Sequence, residues 1–253
     1  MDEALLRSLL YSAHSKVALE FLHLESGTLK FRHILSMNRM MYHHHLLTTD
    51  DEESIKKIYD KQKEDPTKGD WYELLQNDFK FIGEEINEEQ IKSMSKSEYK
   101  KHIKELVQIA SYKYLMKEKE KHTKLDDVTY TDLKIQPYLT DCKFSKEERK
   151  LLIALRSRCH SAKTNFRKLN KGNLGCSLGC NTDENQAHIF QDCQVLNPQN
   201  TQDNVEYNFI FKETNKQKQA IQIFLSLEEK RKLKLLSYLE EQDTARTGAQ
   251  IPF

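Results

Sequence analysis

Apolar side chains recur every three or four residues along most of this chain, and that spacing most constrains how the chain can fold. Residues 29–47 show the pattern clearly, with apolar positions close to a 3.6-residue period. The 253 residues include only seven glycines and four prolines, which leaves few tight turns for β-hairpins or glycine-rich phosphate loops. No convincing run of alternating polar and apolar residues indicates a strand. We therefore predict an all-α protein, an irregular assembly of many helices.

Local signals set the expected helix boundaries. Gly27 suits a turn between two helices, Pro66 ends a helix, and Asp70 is expected to cap the next one. Capping boxes, in which side chains of the first turn satisfy unpaired backbone amides, are predicted at Asp50 with Glu53, Ser95 with Glu98, and Ser145 with Glu148. The expected helices are 3–24 with a break near Ser15, 29–47, 51–64, 70–82, 95–121, 145–158, 203–211, 214–225 and 228–241.

Charge is concentrated in blocks, although the net charge is only +1. Residues 143–171 hold ten basic and two acidic side chains, a net of +8, with aromatic residues among the cations. This imbalance favours contact with the phosphates of a nucleic acid, and a solvated surface is the alternative. The residues predicted to bind nucleic acid are Lys150, Arg156, Arg158, Lys163, Arg167, Lys168 and Lys171. In residues 92–124 lysine alternates with glutamate, which is typical of a solvated helix face.

Four residues of metal-ligand type lie within eighteen positions, in the pattern C-x3-C-x7-H-x4-C. Cys176 and Cys180 flank a glycine-bearing loop, and His188 and Cys193 lie about one turn apart on a short helix predicted to begin near Asp183. Three thiolates and one imidazole complete a tetrahedral zinc shell, which closes the site and makes the zinc structural. The first spacing is one residue wider than the usual C-x2-C, and the alternative is a group of buried thiols that pack as small apolar side chains.

The pattern predicts a small zinc-knuckle-like insertion near residues 170–195. The other cysteines, Cys142 and Cys159, are expected to be core or surface thiols, since five is an odd number and disfavours a disulfide framework. The N-terminal sequence lacks the basic start and long apolar core of a signal peptide, and no apolar run is long enough to cross a bilayer. We therefore expect an intracellular protein, in the nucleus or the cytoplasm, that has no membrane contact.

The order of several motifs resembles one protein family. The motifs lie in Glu3–Leu47, which contains Ile-Leu-Ser-Met-Asn-Arg-Met-Met-Tyr, and in Pro66–Trp71, Ile91–Lys96, Leu151–Phe166, the Cys/His cluster with His-Ile-Phe-Gln-Asp-Cys, and Tyr207–Arg231. Together they are similar to the region that follows the polymerase core in non-LTR (LINE-type) retrotransposon reverse transcriptases. The resemblance covers about residues 3–235.

The resemblance implies a helical region, adjacent to the thumb of the polymerase, that helps to hold template RNA and target DNA. The family's polymerase needs paired palm aspartates that bind Mg²⁺, and neither Asp50-Asp51 nor Asp126-Asp127 has the family's aromatic-x-Asp-Asp context. We therefore assign no catalytic residue and expect a non-catalytic module that binds RNA or DNA. The alternatives are a protein-interaction or vestigial helical scaffold, and the C-terminal part of an active RNA-directed DNA polymerase whose catalytic half is elsewhere.

Four parts are predicted along the chain. They are thumb-like amphipathic helices in 1–48, a helical linker domain in 49–140, a basic helix with the zinc knuckle in 141–196, and C-terminal helices with a flexible tail in 197–253.

The first part contains a cluster of methionines and a cluster of histidines. Met37, Met40 and Met41 form a stripe at helical spacing, which we expect to be core or to contact a polymerase domain. If exposed, the stripe would favour self-association through residues 29–47. His43-His44-His45 are adjacent, so their rings fan around a helix instead of converging on a metal, and we expect a surface or interface cluster.

Overall fold

The computed structural model describes residues 3–10, 15–49, 53–166, 173–198, 206–212 and 214–248. Within these ranges the chain forms helices and no β-strand, and its β pairing is limited to isolated bridges at Ser26–Ile135 and Gly175–Asp183. The all-α prediction is therefore confirmed. No helix in the described ranges combines the length and apolarity that a bilayer crossing requires.

The α-helices of the described chain are α1 (Glu3–Leu9), α2 (Leu19–Ser26), α3 (Phe31–Thr48), α4 (Ser54–Glu64), α5 (Trp71–Ile82), α6 (Glu88–Ser93), α7 (Lys96–Lys119), α8 (Pro137–Thr140), α9 (Lys146–Arg156), α10 (Phe209–Lys212) and α11 (Thr214–Gly248). Two 3₁₀ turns, Thr123–Leu125 and Lys163–Phe166, and a π-helix, His188–Asp192, accompany them.

The chain packs as two compact units. The first unit consists mainly of Leu19–Lys121 with Tyr130–Gln136, and the second mainly of His122–Thr129 with Pro137–Phe253. In the first unit, α3 packs against α4, α5, α6 and α7. The core residues of that unit are Met40, Leu46, Leu47, Tyr59, Tyr72, Leu75, Phe79, Ile91, Tyr99, Ile103 and Val107. In the second unit, α11 packs against α9, α10 and the π-helix.

Helix caps follow the local sequence signals closely. The capping boxes at Ser95 and Ser145 are both formed, and the Asp70 side chain accepts a hydrogen bond from the amide of Glu73. α4 ends two residues before Pro66, as expected. At its start, Glu53 is the capping residue and makes no side-chain cap. Asp50, which was expected to cap this helix, lies outside the described residues.

Some predicted helix boundaries are wrong. The segments 214–225 and 228–241 form the single helix α11, because Phe224, Leu227 and Arg231 keep one face buried across the expected break. No glycine or proline interrupts it there. In the described part of 203–211, only α10 is helical, while 203–205 are not described. The helices α6 and α8 were not predicted, because six and four residues are too few to display a period.

The burial of the side chains shows whether the methionine and histidine clusters of α3 lie in the core or on the surface. Met40 is fully buried, and Met37 and Met41 pack against the same core cluster, so the methionine stripe is core. The expectation of a histidine surface cluster is wrong for His43 and His44, which are 0% and 5% exposed. Both are buried because α3 has neighbouring helices on several sides.

Candidate metal centre

Cys176, Cys180, His188 and Cys193 converge on one point in the second unit. The three Sγ atoms and one imidazole nitrogen all lie within 4.8 Å of one another. His188 and Cys193 are buried, and the other two are half-buried. Because all four donors belong to the protein and face one another, the cluster could hold a metal ion in a closed shell.

The first two thiols lie on a tight loop that backbone hydrogen bonds close. The amide of Gly179 donates to the carbonyl of Cys176 at 3.1 Å, and the amide of Leu178 donates to the Cys176 Sγ at 3.4 Å. Gly179 has φ of +87°, a left-handed conformation that favours glycine. The amide of Cys176 also donates to the Thr182 carbonyl at 2.9 Å. This turn accommodates the extra residue of the C-x3-C spacing.

A π-helix aligns the other two ligands. The amide of Cys193 donates to the carbonyl of His188 at 2.8 Å, which is the five-residue hydrogen bond of a π turn. In an α-helix, residues five apart are rotated by about 140° relative to each other. The wider π turn removes most of that rotation, so both side chains reach the same point. The helix does not begin near Asp183 as predicted, because Asp183 pairs with Gly175 in an isolated bridge.

Hydrogen bonds also fix the orientation of the His188 ring. Its Nδ1 lies 3.1 Å from the Thr182 hydroxyl oxygen, and its backbone amide donates to the Asn185 Oδ1 at 2.7 Å. Among the described residues, the buried Nε2 has no hydrogen-bond partner. A buried polar atom without a partner is unfavourable. With Nδ1 protonated and donating to Thr182, the lone pair of Nε2 is available to a metal ion.

The thiols of Cys180 and Cys193 lie close enough to influence each other's pKa, as metal-binding cysteines do. The Sγ atoms of Cys180 and Cys193 lie 3.6 Å apart. Burial raises the pKa of the Cys193 thiol to about 12. Burial also acts to raise the pKa of Cys180, but hydrogen bonding, first of all with Cys193, outweighs it and lowers that pKa. Cys193 therefore keeps its proton at neutral pH, and a metal ion that bound there would displace it.

Glu184 connects the loop that carries Cys176 and Cys180 to α11. Its Oε2 accepts a hydrogen bond from the amide of Ser177 at 2.9 Å, and its Oε1 accepts one from Nη2 of Arg231 at 2.5 Å. Burial acts to raise the pKa of the Glu184 carboxyl, but the bonds from Ser177 and the charge of Arg231 lower it below the usual value. Glu184 is therefore an ionised carboxylate inside the protein.

Comparisons with models of protein families, with curated proteins and with solved structures give no match for this chain. The inference of a function therefore starts from the Cys/His cluster and from the exposure and charge of the described side chains.

The residues predicted to bind nucleic acid occupy different environments. Lys150 is exposed on α9. Arg156, by contrast, is 2% exposed, and its Nη1 donates to the carbonyls of Ile210 and Phe211 at 3.1 and 3.2 Å. The expectation for Arg156 does not hold, because its guanidinium is committed to the interior of the second unit.

The remaining predicted contacts are divided between paired and undescribed residues. Arg158 is half-buried and forms an ion pair with Asp127. Lys163 is half-buried and donates to the carbonyl of Gly175 at 2.7 Å, which fixes the start of the loop that carries Cys176 and Cys180. Arg167, Lys168 and Lys171 lie outside the described residues.

Sequence reasoning missed three residues that support the site. Thr182 orients His188, Asn185 holds the start of the π-helix, and Glu184 holds the loop against α11. No sequence signal identifies these partners, because each depends on how the loop closes. The spacing of the four ligands is the only guide to where such partners lie.

Proposed function

We propose that this chain is a non-catalytic nucleic-acid-binding module, derived from a retrotransposon reverse transcriptase, whose second unit is stabilised by one structural zinc ion. Cys176, Cys180, His188 and Cys193 would hold the zinc. Exposed lysines just before α9 and in its first turns would contact phosphates. The motif order shared with the region after the polymerase core supports the ancestry.

Zinc is the metal that best suits this donor set. Three thiolates and an imidazole are soft and borderline ligands of the kind that structural zinc takes. Zinc–sulfur bonds of about 2.3 Å at tetrahedral angles place two sulfurs about 3.8 Å apart, and the Sγ atoms of Cys180 and Cys193 are 3.6 Å apart. When bound, zinc would cross-link the loop to the π-helix. With four protein ligands there is no open position for a reacting water.

One observation carries the nucleic-acid part of the proposal. Lys143, Lys146 and Lys150 are exposed, and none of their ammonium groups forms an ion pair with any residue in the described ranges. Lys218 adds a fourth cation at this place, since it donates to the carbonyl of Lys143 and lies 3.9 Å from Glu148. Unpaired ammonium groups at one end of a helix favour a polyanion, because binding releases condensed counterions. We call Lys143, Lys146 and Lys150 the α9 lysine group.

Fluorescence anisotropy with labelled single-stranded RNA and labelled duplex DNA tests this surface. The test variant is Lys143→Gln, Lys146→Gln and Lys150→Gln. It removes three charges and keeps side chains that suit a helix. We expect its affinity at low salt to fall by about tenfold or more, because several phosphate contacts are lost together.

A matched control separates phosphate contact from net charge. The control variant carries Lys57→Gln, Lys61→Gln and Lys68→Gln, which removes the same charge from exposed positions in the first unit. We expect it to bind as the wild type does. Equal losses in the two variants, or no loss in either, would contradict binding by the α9 lysine group.

A protein-interaction scaffold is the second candidate, and one observation favours it. Phe31, Leu35 and Tyr42 lie on one face of α3 and are 60%, 45% and 40% exposed. This face, within residues 29–47, is where a polymerase domain or a second copy would dock. Under this alternative, Phe31→Ser with Leu35→Ser would abolish association with the partner. Binding to nucleic acid would be weak and equal in the wild type and in both lysine variants.

A further inference from the structure

A groove of about 520 Å³ lies beside α7 in the first unit. One face of α7 forms one wall, and the segment 131–134, which has no regular secondary structure, forms the other. Ile109, which is 51% exposed, and Leu133, which is 5% exposed, supply apolar surface together with Tyr112. A mostly apolar groove of this volume is typical of a ligand site.

The two ends of the α7 wall carry opposite charges. Glu105, Ile109 and Lys113 follow one another at four-residue intervals, so they lie along one face of the helix with the isoleucine in the middle. The acidic and basic residues are therefore about 12 Å apart along the helix. Both are exposed, and neither side chain pairs with any described residue. On the opposite wall, Asp132 and Lys134 pair with each other.

Two uncharged polar side chains of the groove also lack a partner. Gln108 is half-buried on α7 and Thr131 is exposed on the opposite wall, and neither side chain hydrogen-bonds to a described residue. Each can donate and accept a hydrogen bond. A peptide backbone suits such groups, because each of its residues brings an N–H donor and a C=O acceptor. A hydrocarbon ligand would leave both unpaired, and the Glu105 carboxylate would repel a phosphate backbone.

We propose that this groove binds a short peptide segment of a partner protein, in which an apolar side chain lies between a basic and an acidic residue. The apolar side chain covers Ile109 and Leu133. The basic residue pairs with Glu105, and the acidic residue pairs with Lys113. An extended peptide rises about 3.3 Å per residue, so residues four apart match the separation of the two charges.

Selection of short random peptides displayed on phage tests the groove, with the full chain as the target. The Ile109→Gln variant serves for counter-selection, because it lacks the central apolar side chain of the groove. We expect the enriched peptides to carry a basic and an acidic residue about four positions apart, with Leu, Ile or Phe between them. No enrichment beyond that on the variant, or enriched peptides without both charges, would overturn the proposal.

A fluorescent peptide Gly-Lys-Ala-Leu-Ala-Glu-Gly with blocked termini measures the apolar contribution by anisotropy. Ile109→Gln should weaken its binding by about tenfold, because an apolar contact is lost. Ile58→Gln, at a position on α4 that is 59% exposed, is the matched control and should bind the peptide as the wild type does. Circular dichroism checks that both variants keep the helix content of the wild type. Equal losses in the two variants would overturn the proposal.

A charge reversal tests the pairing of the basic residue. Glu105→Lys should weaken binding of this peptide, and should favour a second peptide that has Glu in place of its Lys. Equal affinity of the wild type and this variant for the first peptide would contradict the pairing. The groove contains no residue of the Cys/His cluster or of the α9 lysine group. Loss of nucleic-acid binding and loss of peptide binding are therefore separate results.

Discussion

Arg231 and Glu184 form a buried ion pair, with Nη2 of the arginine 2.5 Å from Oε1 of the glutamate. The pair joins two parts of the second unit that are far apart in sequence. The second oxygen of Glu184 accepts a hydrogen bond from the amide of Ser177, so the carboxylate links α11 to the loop that carries Cys176 and Cys180. Folding of the loop and packing of α11 should therefore be coupled.

Glu184→Gln tests this coupling. The change leaves the Arg231 charge buried, with Glu228, at 3.5 Å, as its remaining acidic partner among the described residues. We expect the free energy of unfolding of the second unit to fall by about 3 kcal/mol, since removing one partner strands a buried charge. Denaturant unfolding measures it. In the double variant with Arg231→Met, the loss should be smaller than the sum of the two single losses. If the two single losses simply add in the double variant, the ion pair makes no net contribution to the free energy of unfolding.

Cys176→Ser tests the metal centre. Elemental analysis of protein purified without chelator should give about one zinc per wild-type chain and almost none for the variant, because a hydroxyl is a poor zinc ligand beside two thiolates. Hydrogen exchange should increase in residues 173–198 and stay unchanged in α3 and α5 of the first unit. Cys142→Ser, which changes an exposed thiol outside the cluster, is the control. Wild-type protein without zinc would contradict the assignment.

Thr182→Val tests the support of the imidazole. Loss of the hydroxyl that holds Nδ1 of His188 should weaken zinc binding by about 10- to 100-fold, as is usual for such outer hydrogen bonds. Competition with a chelating dye measures the affinity. Thr182→Ser keeps the hydroxyl and should bind zinc nearly as the wild type does. If the valine and serine variants bind zinc with equal affinity, the Thr182 hydroxyl does not support zinc binding by His188.

The buried histidines should make the folded protein less stable in acid. Burial lowers the pKa of His43 to about 4, and that of His160 in the second unit to about 4 as well. Between pH 6.5 and 4 the unfolded chain binds a proton that the folded chain does not, so stability falls as the pH falls. Each histidine should account for a loss of about 2 to 4 kcal/mol over that window.

His43→Phe isolates one of these contributions. The variant keeps an aromatic ring and loses the hydrogen bond between His43 Nε2 and the Tyr59 hydroxyl, while Tyr59 still donates to Glu88. Urea unfolding from pH 7.5 to 4.5 should show a shallower loss of stability than in the wild type. His45→Gln, at an exposed position, should leave the pH dependence unchanged. If His43→Phe leaves the dependence of the free energy of unfolding on pH unchanged, the claim that buried His43 destabilises the fold in acid is contradicted.

Helix positions were predictable wherever the signal was local. Ser95 and Ser145 cap helices because the bonds lie within four residues of sequence, and the Asp70 cap is equally local. The cluster of three cysteines and one histidine was also predictable, since the chemistry and spacing of these residues are explicit in the sequence. The alignment of His188 with Cys193 required a π turn, which an α-helical period does not suggest.

Side-chain environments that depend on distant residues were not predictable. Arg156 was counted as a surface cation, but its partners are carbonyls of α10, more than fifty residues away. Glu184 likewise meets Arg231, a residue 47 positions away in the sequence. Charge counts along a segment cannot distinguish a cation that binds phosphate from one that holds two helices together.

The salt dependence of nucleic-acid binding tests the central claim most directly. Anisotropy titrations from low to physiological salt give the slope of log affinity against log salt, to which each phosphate contact adds about 0.7 to 0.9. We expect a steep slope for the wild type and one smaller by about 2 to 3 for the variant that lacks the α9 lysine group. Shallow and equal slopes in both proteins would show that the basic surface is merely solvated, and would contradict the proposed function.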